Sequence, residues 1–321
     1  MARFLRRLQR IGSSVLVSLP KEWVVQNGLE KGSQVEIETS KGGLSVAATG
    51  RRTRELSIAY PLPPNENITA DLTGAYLLGY DMIQVTSGPA IPAGDRELIR
   101  DSTRRLAGME IVEEDSSHIT LQFLLDPTTL DPRRILLRMN SIALGMFGEV
   151  LKGMETGEFS ALGTLRNRDA EVNRQYFLLV RLIRSALVDG RISHAFDLEG
   201  VDVLDYRVAA NLLENAGDSI AALGAAIRDS GLPAGRLRGA RGAARDLEGT
   251  AGKAVRALVE RDRRLAIEAI SLHAAYQERL AALRADAAGD MALVDVVYGL
   301  ERIGRFWADV ADLVRPIYYD E

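Results

Sequence analysis

The feature that most limits how this chain folds is a helical periodicity that runs, with short breaks, from residue 131 to residue 321. In its first segment, apolar side chains recur every three or four positions, at Ile135, Met139, Ile142, Met146, Val150 and Met154. The same pattern predicts further helices over 159–189, 201–229, 235–260, 264–286 and 291–316. Short polar links join them, so we expect either one large bundle or a pair of three-helix bundles, at about 131–230 and 231–321.

Two shorter regions with strand-like alternation precede the helices. Residues 1–50 read as strand, short helix and hairpin, with glycines at the turns, and predict a small β module. A module of this size buries little surface alone, so we expect it to dimerise. Residues 51–130 read as β-α-β-α-β and predict a small α/β domain of unknown role, bounded by Arg51-Arg52 and Asp126-Pro127. The predicted fold class is therefore α+β and multidomain.

Composition excludes several classes of function. The chain has no cysteine, so disulfides, thiolate metal sites and cysteine nucleophiles are excluded, and any metal must have oxygen or nitrogen ligands. It has no GxSxG elbow, no glycine-rich phosphate loop and only three scattered histidines, so we expect no enzyme. No apolar stretch approaches the roughly 20 residues of a membrane span, so we expect no membrane insertion and a cytoplasmic location.

Charge is distributed unevenly along the chain. The formal net charge is −4, but the first 21 residues carry five basic side chains and no acidic one, which leaves −9 for the rest. A basic segment on an acidic body is typical of a protein that binds a polyanion with one surface. The alternative is an edge strand that its arginines protect from aggregation.

The helical region contains a faint internal duplication. NLLENAGDSIAALGAAIR and YGLERIGRFWADVADLVR share leucine, glutamate, glycine, alanine and arginine at an offset of 87 residues. Gly217 and Gly304 are thereby matched in mid-helix, where glycine costs about 1 kcal/mol relative to alanine. We expect a neighbouring helix to approach closely at both glycines.

Acidic side chains are placed where they could bind a cation. Glu214 and Asp218 lie four residues apart on one predicted helix, and Asp169 and Asn173 lie four apart on the preceding one. Like charges at this spacing repel unless something neutralises them. Oxygen ligands from facing helices suit Mg, Mn or Fe. The alternative is neutralisation by nearby arginines, namely Arg166, Arg168 and Arg174.

The N-terminal stretch RRLQRIGSSVLVSLPKEWVVQNGLEKGSQVEIE resembles the AbrB/SpoVT family in its V-x-[IL]-P strand end, short helix and G-[IL]-x-x-G-x-x-[VL]-x-[IL] pattern. The resemblance implies that two chains interleave into a swapped-hairpin barrel, whose first strand and following loop contact DNA through basic residues. The matching positions are Arg6, Arg7, Arg10 and Lys21. Ser13 and Ser14 follow Gly12, where bacterial members often have arginine, and serine adds no charge.

The helical part resembles the PhoU family of phosphate-uptake regulators. RDAEVNRQYFLLVRLI is similar to its D-x-x-V-D-x-x-Y-x-x-x-x-R-x-[IL] helix, and LENAGDSI and LERIGRFW to its L-E-R-I-G-D repeat. The resemblance implies two three-helix bundles whose E/D-x-x-x-D motifs hold a divalent metal or an iron cluster. The matching positions are Asp169, Asn173, Glu214 and Asp218.

The second bundle departs from that motif. Ala269, His273 and Arg305 stand at positions that carry acids in the family, and we expect Arg305 to pair with Glu301. At most one metal site per chain is therefore expected. The combination with an AbrB-like module, and the GAYLLGYD segment at 74–81, are similar to the archaeal-type phosphate regulators.

These residues and resemblances predict a phosphate-responsive transcriptional regulator, a homodimer that binds DNA through its N-terminal module and senses phosphate status through its bundles. One alternative is a PhoU-type signalling protein that restrains a phosphate ABC transporter ATPase or a phosphate sensor kinase by protein contacts, with the N-terminal module serving only to dimerise. A second alternative is a metal-dependent enzyme that uses Asp169, Glu214 and Asp218.

Overall fold

The computed structural model describes residues 4–40, 43–48, 53–198 and 200–314. The chain divides into two compact units, Met1–Thr53 and Arg54–Glu321. The boundary predicted near residue 130 is a change of secondary structure within the second unit, and the three-part division stays a prediction. The boundary predicted at Arg51-Arg52 and the last two positions of the helix predicted over 291–316 lie outside the described residues.

The first unit has the predicted order of strand, short helix and hairpin. Strands β1 (Gln9–Ile11) and β2 (Ser14–Leu16) form an antiparallel hairpin, helix α1 covers Lys21–Gln26, and β3 (Val35–Ser40) pairs with β4 (Gly43–Ala48). Gly12 opens the two-residue turn between β1 and β2 with a φ of 60°, a conformation that glycine adopts without strain.

The second unit begins with one mixed sheet. Its elements are β5 (Glu55–Tyr60), α2 (Ile68–Leu77), β6 (Met82–Ser87), α3 (Ala93–Arg104), β7 (Met109–Glu114) and β8 (His118–Phe123). The strand order is β5-β6-β8-β7, in which β5 and β6 are parallel and the other pairs antiparallel. Helix α2 makes the crossover that a parallel pair requires.

Strand β7 was not predicted from the sequence, and the expected β-α-β-α-β order is therefore corrected to one with an additional strand. Glu110, Glu113 and Glu114 interrupt its apolar alternation, and a bulge lies between Ile111 and Glu113. Such a strand is compatible with the sheet because β7 lies at the edge, where it pairs only with β8.

Seven helices follow in the described part of the unit. They are α4 (Pro132–Thr156), α5 (Leu165–Ala186), α6 (Gly190–Phe196), α7 (Gly200–Asp229), α8 (Arg238–Glu260), α9 (Arg263–Asp286) and α10 (Met291–Asp312). Side chains of Asp131, Asp262 and Asp290 accept hydrogen bonds from the first turns of α4, α9 and α10. The helix predicted over 159–189 instead contains a 3-10 turn at Ser160–Thr164 before α5, and the short α6 was not predicted.

The long helices pack as two groups of three. Helices α4, α5 and α7 contact one another, as do α8, α9 and α10, and the two groups meet through α4 with α8 and α7 with α10. Trp307 is fully buried at this junction, where its Nε1 donates to Asn140 Oδ1 at 2.9 Å and its ring meets Phe147 edge to face. Within the described ranges, no helix has the length and apolarity needed to span a membrane.

Candidate functional site

The basic residues predicted to contact DNA all lie on the surface of the first unit. Arg10 lies in β1 and Lys21 is the first residue of α1, and both are exposed. Because β1 begins at Gln9, Arg6 and Arg7 lie in the segment before that strand and not on it, which corrects the expectation that the first strand carries all three arginines.

The described contacts of Arg6 and Arg10 are with backbone carbonyls and an aromatic ring. The guanidinium of Arg6 donates to the carbonyl of Leu5 and lies 5.4 Å from the ring centre of Phe4. Arg10 Nε donates to the carbonyl of Gly12 at 3.3 Å. Among the described residues of this unit, no carboxylate forms a salt bridge with any of the four cations.

Apolar side chains of the same unit are also exposed. Of the side chains whose burial is described at 4–40 and 43–48, none is buried. The exposed fraction is 87% for Leu5, 67% for Ile11 and 64% for Val15. A small module with so much apolar surface needs another surface to cover it.

The second candidate site lies between α5 and α7, where Asp169 meets Gly217. Asp169 is buried, and a Cβ at position 217 would be 2.8 Å from its Oδ1. The close approach predicted at Gly217 is thus confirmed. Asn173 Nδ2 donates to Asp169 Oδ2 at 3.3 Å, whereas the buried Oδ1 accepts no hydrogen bond from the described residues.

The predicted acidic residues lie close enough to affect one another's ionisation. Burial raises the pKa of Asp169 to about 7, with further contributions from Asp218 and Glu214. Burial also raises the pKa of Glu214, and Asp218 adds to this while Arg207 opposes it. The structure therefore brings Asp169, Glu214 and Asp218 together, with Asn173 beside them.

The side chains of this cluster are not arranged as a metal-binding site in the described structure. Its all-oxygen donors suit a hard divalent cation. However, in the part of the chain that the structure describes, no group of three or more histidine, aspartate or glutamate side chains is arranged to hold a metal ion. A cation would require a rearrangement of side chains, for which the exposed Asp218 has the most freedom.

Two of the three arginines expected to neutralise the cluster have other partners. Arg168 forms an ion pair with Glu149, and Arg174 lies 3.9 Å from a carboxylate oxygen of Glu171. The cation near Glu214 is instead Arg207, which donates to the hydroxyl of Tyr176 at 3.0 Å.

The matching positions of the second bundle hold no such cluster. A Cβ at Gly304 would be 2.6 Å from the ring of Tyr276, so the close approach predicted there is also confirmed. Glu301 accepts a hydrogen bond from Arg284 at 2.8 Å, which corrects the expectation that Arg305 would be its partner. His273 lies 3.1 Å from the side-chain nitrogen of Gln277, and burial lowers its pKa.

A buried ion pair that the sequence analysis missed joins α5 to the sheet. Arg181 is 1% exposed, and it donates to the carbonyls of Tyr76 and Tyr80, both at 2.8 Å, and to Asp81 Oδ1 at 3.1 Å. The other oxygen of Asp81 accepts from the backbone N–H of Arg54 at 3.1 Å. An arginine inside the apolar run LLVRLI was the available signal, because buried arginines need such partners. The pair also assigns a structural role to the GAYLLGYD segment.

The fold and these sites define a protein of two parts, a small basic β module and a body that combines one mixed sheet with two three-helix bundles. Residues 8–52 match the family described as antidote-toxin recognition MazE, bacterial antitoxin. This MazE/AbrB-like match confirms the AbrB/SpoVT-like module expected at the N-terminus.

Two solved structures are similar to the chain. PhoU from Pseudomonas aeruginosa has 16% sequence identity and a TM-score of 0.48, over 57% of this chain and 93% of that one. The phosphate transport system regulatory protein PhoU from Streptococcus pneumoniae has 14% identity and a TM-score of 0.48, over 57% of this chain and 91% of that one. No curated protein matches the chain.

Proposed function

We propose that the chain is a cytoplasmic, homodimeric regulator of transcription that responds to phosphate status. Its first unit binds DNA and its helical bundles sense the signal. The observation that carries the proposal is the group of exposed cations Arg6, Arg7, Arg10 and Lys21, which have no carboxylate partner among the described residues of their unit. Cations in this state bind DNA phosphates and release condensed counterions.

The exposed apolar side chains of the first unit support a dimer. A second copy would cover residues such as Leu8 and Ile11, which are 73% and 67% exposed. Two copies also present two basic segments related by a two-fold axis, which suits a palindromic DNA site.

For sensing, the proposal includes a divalent cation, such as Mn, Mg or Fe(II), bound by Asp169, Glu214 and Asp218 with the amide oxygen of Asn173. Support comes from the Asp169 oxygen that accepts no hydrogen bond from the described residues, and from the raised pKa of Asp169, which a bound cation would lower again. The cation would neutralise charge and change how α5 and α7 pack.

A route for that change is present in the second unit. Asp169 and Arg181 lie on the same helix, and Arg181 holds Asp81, which also accepts from the backbone of Arg54. Arg54 follows directly on Thr53, the last residue of the DNA-binding unit. A cation that favours one arrangement of α5 would thereby shift the population of arrangements at the start of the second unit.

DNA binding is tested by titrating a fragment from the region upstream of the protein's own gene at several salt concentrations. The wild type should bind with a steep salt dependence. The triple variant Arg6→Ala/Arg7→Ala/Arg10→Ala should lose up to about 5 units of the log–log slope for a dimer, since each phosphate contact contributes about 0.9. A matched triple variant at exposed arginines of the second unit, Arg104→Ala/Arg134→Ala/Arg264→Ala, controls for net charge and should bind as the wild type does.

A flat salt dependence in the wild type, or equal binding by the two triple variants, would refute the DNA-binding role. The alternative is then a signalling protein that acts on a phosphate ABC transporter ATPase or a sensor kinase through protein contacts. The observation in favour of that alternative is an apolar stripe on α7, formed by Val201, Leu204 and Val208, which are 52%, 62% and 38% exposed.

The cation site is tested by the metal content of protein purified without chelator. Glu214→Gln should reduce the content, whereas Glu158→Gln, at an exposed glutamate outside the cluster, should leave it unchanged. Equal metal content in the wild type and Glu214→Gln would remove the cluster from the sensing mechanism.

A further inference from the structure

A cavity of about 430 Å³ lies between α7 and α10, where the two bundles meet. Part of its lining consists of small or apolar residues, namely Ala222, Leu223, Ala226 and Gly299. The side chains of Ser219, Arg302 and Arg305 line it as well. This volume lies within the range of about 300–1,000 Å³ that small-molecule sites occupy.

The polar part of the cavity is held in place by a buried hydroxyl. Ser219 is 3% exposed, and its Oγ accepts hydrogen bonds from Nε and Nη2 of Arg302, at 3.0 and 2.8 Å. These bonds orient the guanidinium while leaving its other N–H groups for a ligand. No salt bridge joins Arg302 to a carboxylate among residues 4–40, 43–48, 53–198 and 200–314.

The second arginine of the cavity lies at a position where the two halves of the internal duplication differ. Arg305 stands where the first bundle has Asp218, so a negative position has become a positive one. Glu301, one turn earlier, also lines the cavity, but it is paired with Arg284 and does not form a salt bridge with Arg305. The cavity therefore receives two guanidinium groups, and no described carboxylate forms a salt bridge with either, although Arg305 is close enough to Asp309 to oppose the rise in the pKa of that carboxyl.

The remaining lining residues define what else a ligand must contain. The ring of Tyr298, which is 54% exposed, and the apolar part of the lining suit a flat or apolar body. The carboxylate of Asp295 lines the same cavity and suits hydroxyl or amino groups that donate hydrogen bonds. A lone phosphate ion would fill little of this volume and would not reach these features.

We propose that this cavity binds a small phosphorylated organic anion of the nucleotide class, with its phosphoryl group at Arg302 and Arg305 and its organic part over Ala222 and Ala226. Guanidinium groups suit phosphoryl oxygens because their planar N–H donors match the spacing of two of those oxygens. The role of this ligand as the signal rests on the proposed function, whereas its binding does not.

The test is calorimetric titration of the full chain with adenosine 5′-monophosphate, inorganic phosphate and adenosine. The monophosphate should bind at least tenfold more tightly than either part alone, since it uses both ends of the cavity. Arg302→Gln should weaken its binding about tenfold through loss of charge-assisted hydrogen bonds. Ala226→Trp, which introduces a large side chain at an exposed lining position, should weaken binding of the monophosphate but leave binding of inorganic phosphate unchanged.

Arg264→Gln, at a side chain 81% exposed on α9, is the matched control and should bind as the wild type does. If Arg302→Gln fails the thermal unfolding check, Arg305→Gln takes its place. Equal binding of the monophosphate by wild type, Arg302→Gln and Ala226→Trp would overturn the proposal. So would inorganic phosphate binding as tightly as the monophosphate, or no binding of either up to about 1 mM. None of these results depends on DNA binding, so a failure of the two proposals can be told apart.

Discussion

Each three-helix bundle has a mid-helix glycine that leaves a notch, a space into which a side chain of a neighbouring helix fits. The two bundles fill this notch in different ways. In the first bundle, Gly217 leaves room for the carboxylate of Asp169, and in the second, Gly304 leaves room for the ring of Tyr276. The first notch gathers acidic groups whose charges oppose burial, and the second is filled by an aromatic side chain whose hydroxyl donates to the carbonyl of Leu300 at 2.7 Å. The first bundle thus places at this position charged groups that oppose folding, whereas its counterpart fills the same position by packing.

The largest expected effect comes from placing an aspartate in the second bundle at the position that matches Asp169 of the first. Ala269 matches Asp169 and is fully buried. Ala269→Asp should lower the free energy of unfolding by about 4 kcal/mol or more, because it buries a carboxyl group with no partner. Denaturant unfolding measures this loss, and Asp169→Ala, the reverse change, should cost far less. A loss below about 1 kcal/mol would show that the second bundle can also accommodate an acid.

The next largest effect concerns Asp169 itself. Its folded pKa of about 7 lies above its unfolded value, so the ionised form opposes folding, and the stability of metal-free protein should fall as pH rises from about 4 to above 7. Asp169→Asn should remove this fall and raise the free energy of unfolding by about 2 kcal/mol at pH 8. This figure is smaller than the full pKa shift implies, because water reaches Glu214 and Asp218 and screens their charges. The measurement is denaturant unfolding, at pH 4 and at pH 8, of protein from which metal has been removed with a chelator. A wild type whose stability is the same at both pH values would contradict the expectation.

The two tyrosines at matching positions give a smaller contrast. Tyr276 is 1% exposed and its hydroxyl has a buried acceptor, so Tyr276→Phe should cost about 1 kcal/mol. The hydroxyl of Tyr176 accepts from Arg207 at 3.0 Å and lies 3.4 Å from Asn211 Oδ1 near the surface, where water can replace both partners, so Tyr176→Phe should cost less than Tyr276→Phe. Thermal unfolding of both variants measures the difference. Equal costs would mean that the notch at Gly304 does not depend on the hydroxyl.

Much of this contrast was predictable from the sequence because it depends on local patterns. The apolar periodicity placed the long helices, the mid-helix glycines indicated close approaches, and the spacing of Glu214 from Asp218 put both carboxylates on one helix. The side chains of Asp131 and Asp262 cap helices α4 and α9 by accepting hydrogen bonds from backbone N–H groups only two or three residues further along the chain. Such interactions depend on sequence neighbours and can be derived before the structure is known.

The rest depends on partners that are distant in sequence. Arg181 and Asp81 are separated by 100 residues, and Arg302 reaches Ser219 across 83. Glu301 pairs with Arg284 on the neighbouring helix and not with Arg305 on its own, and nothing in the spacing could have decided between them. Strand β7 escaped prediction because its glutamates face solvent at an edge, where the alternation of a half-buried strand is lost.

The smallest prediction sets the matched glutamates Glu301 and Glu214 against each other. Glu301 is ion-paired with Arg284 at a partly exposed position, so Glu301→Gln should cost about 0.5 kcal/mol, and less at high salt. Burial and Asp218 raise the pKa of Glu214, so its charge opposes folding above that pKa and Glu214→Gln should stabilise metal-free protein by a similar amount at pH 8. Denaturant midpoints at low and high salt decide the matter. If both variants shift stability in the same direction, the two bundles do not differ in how they hold charge.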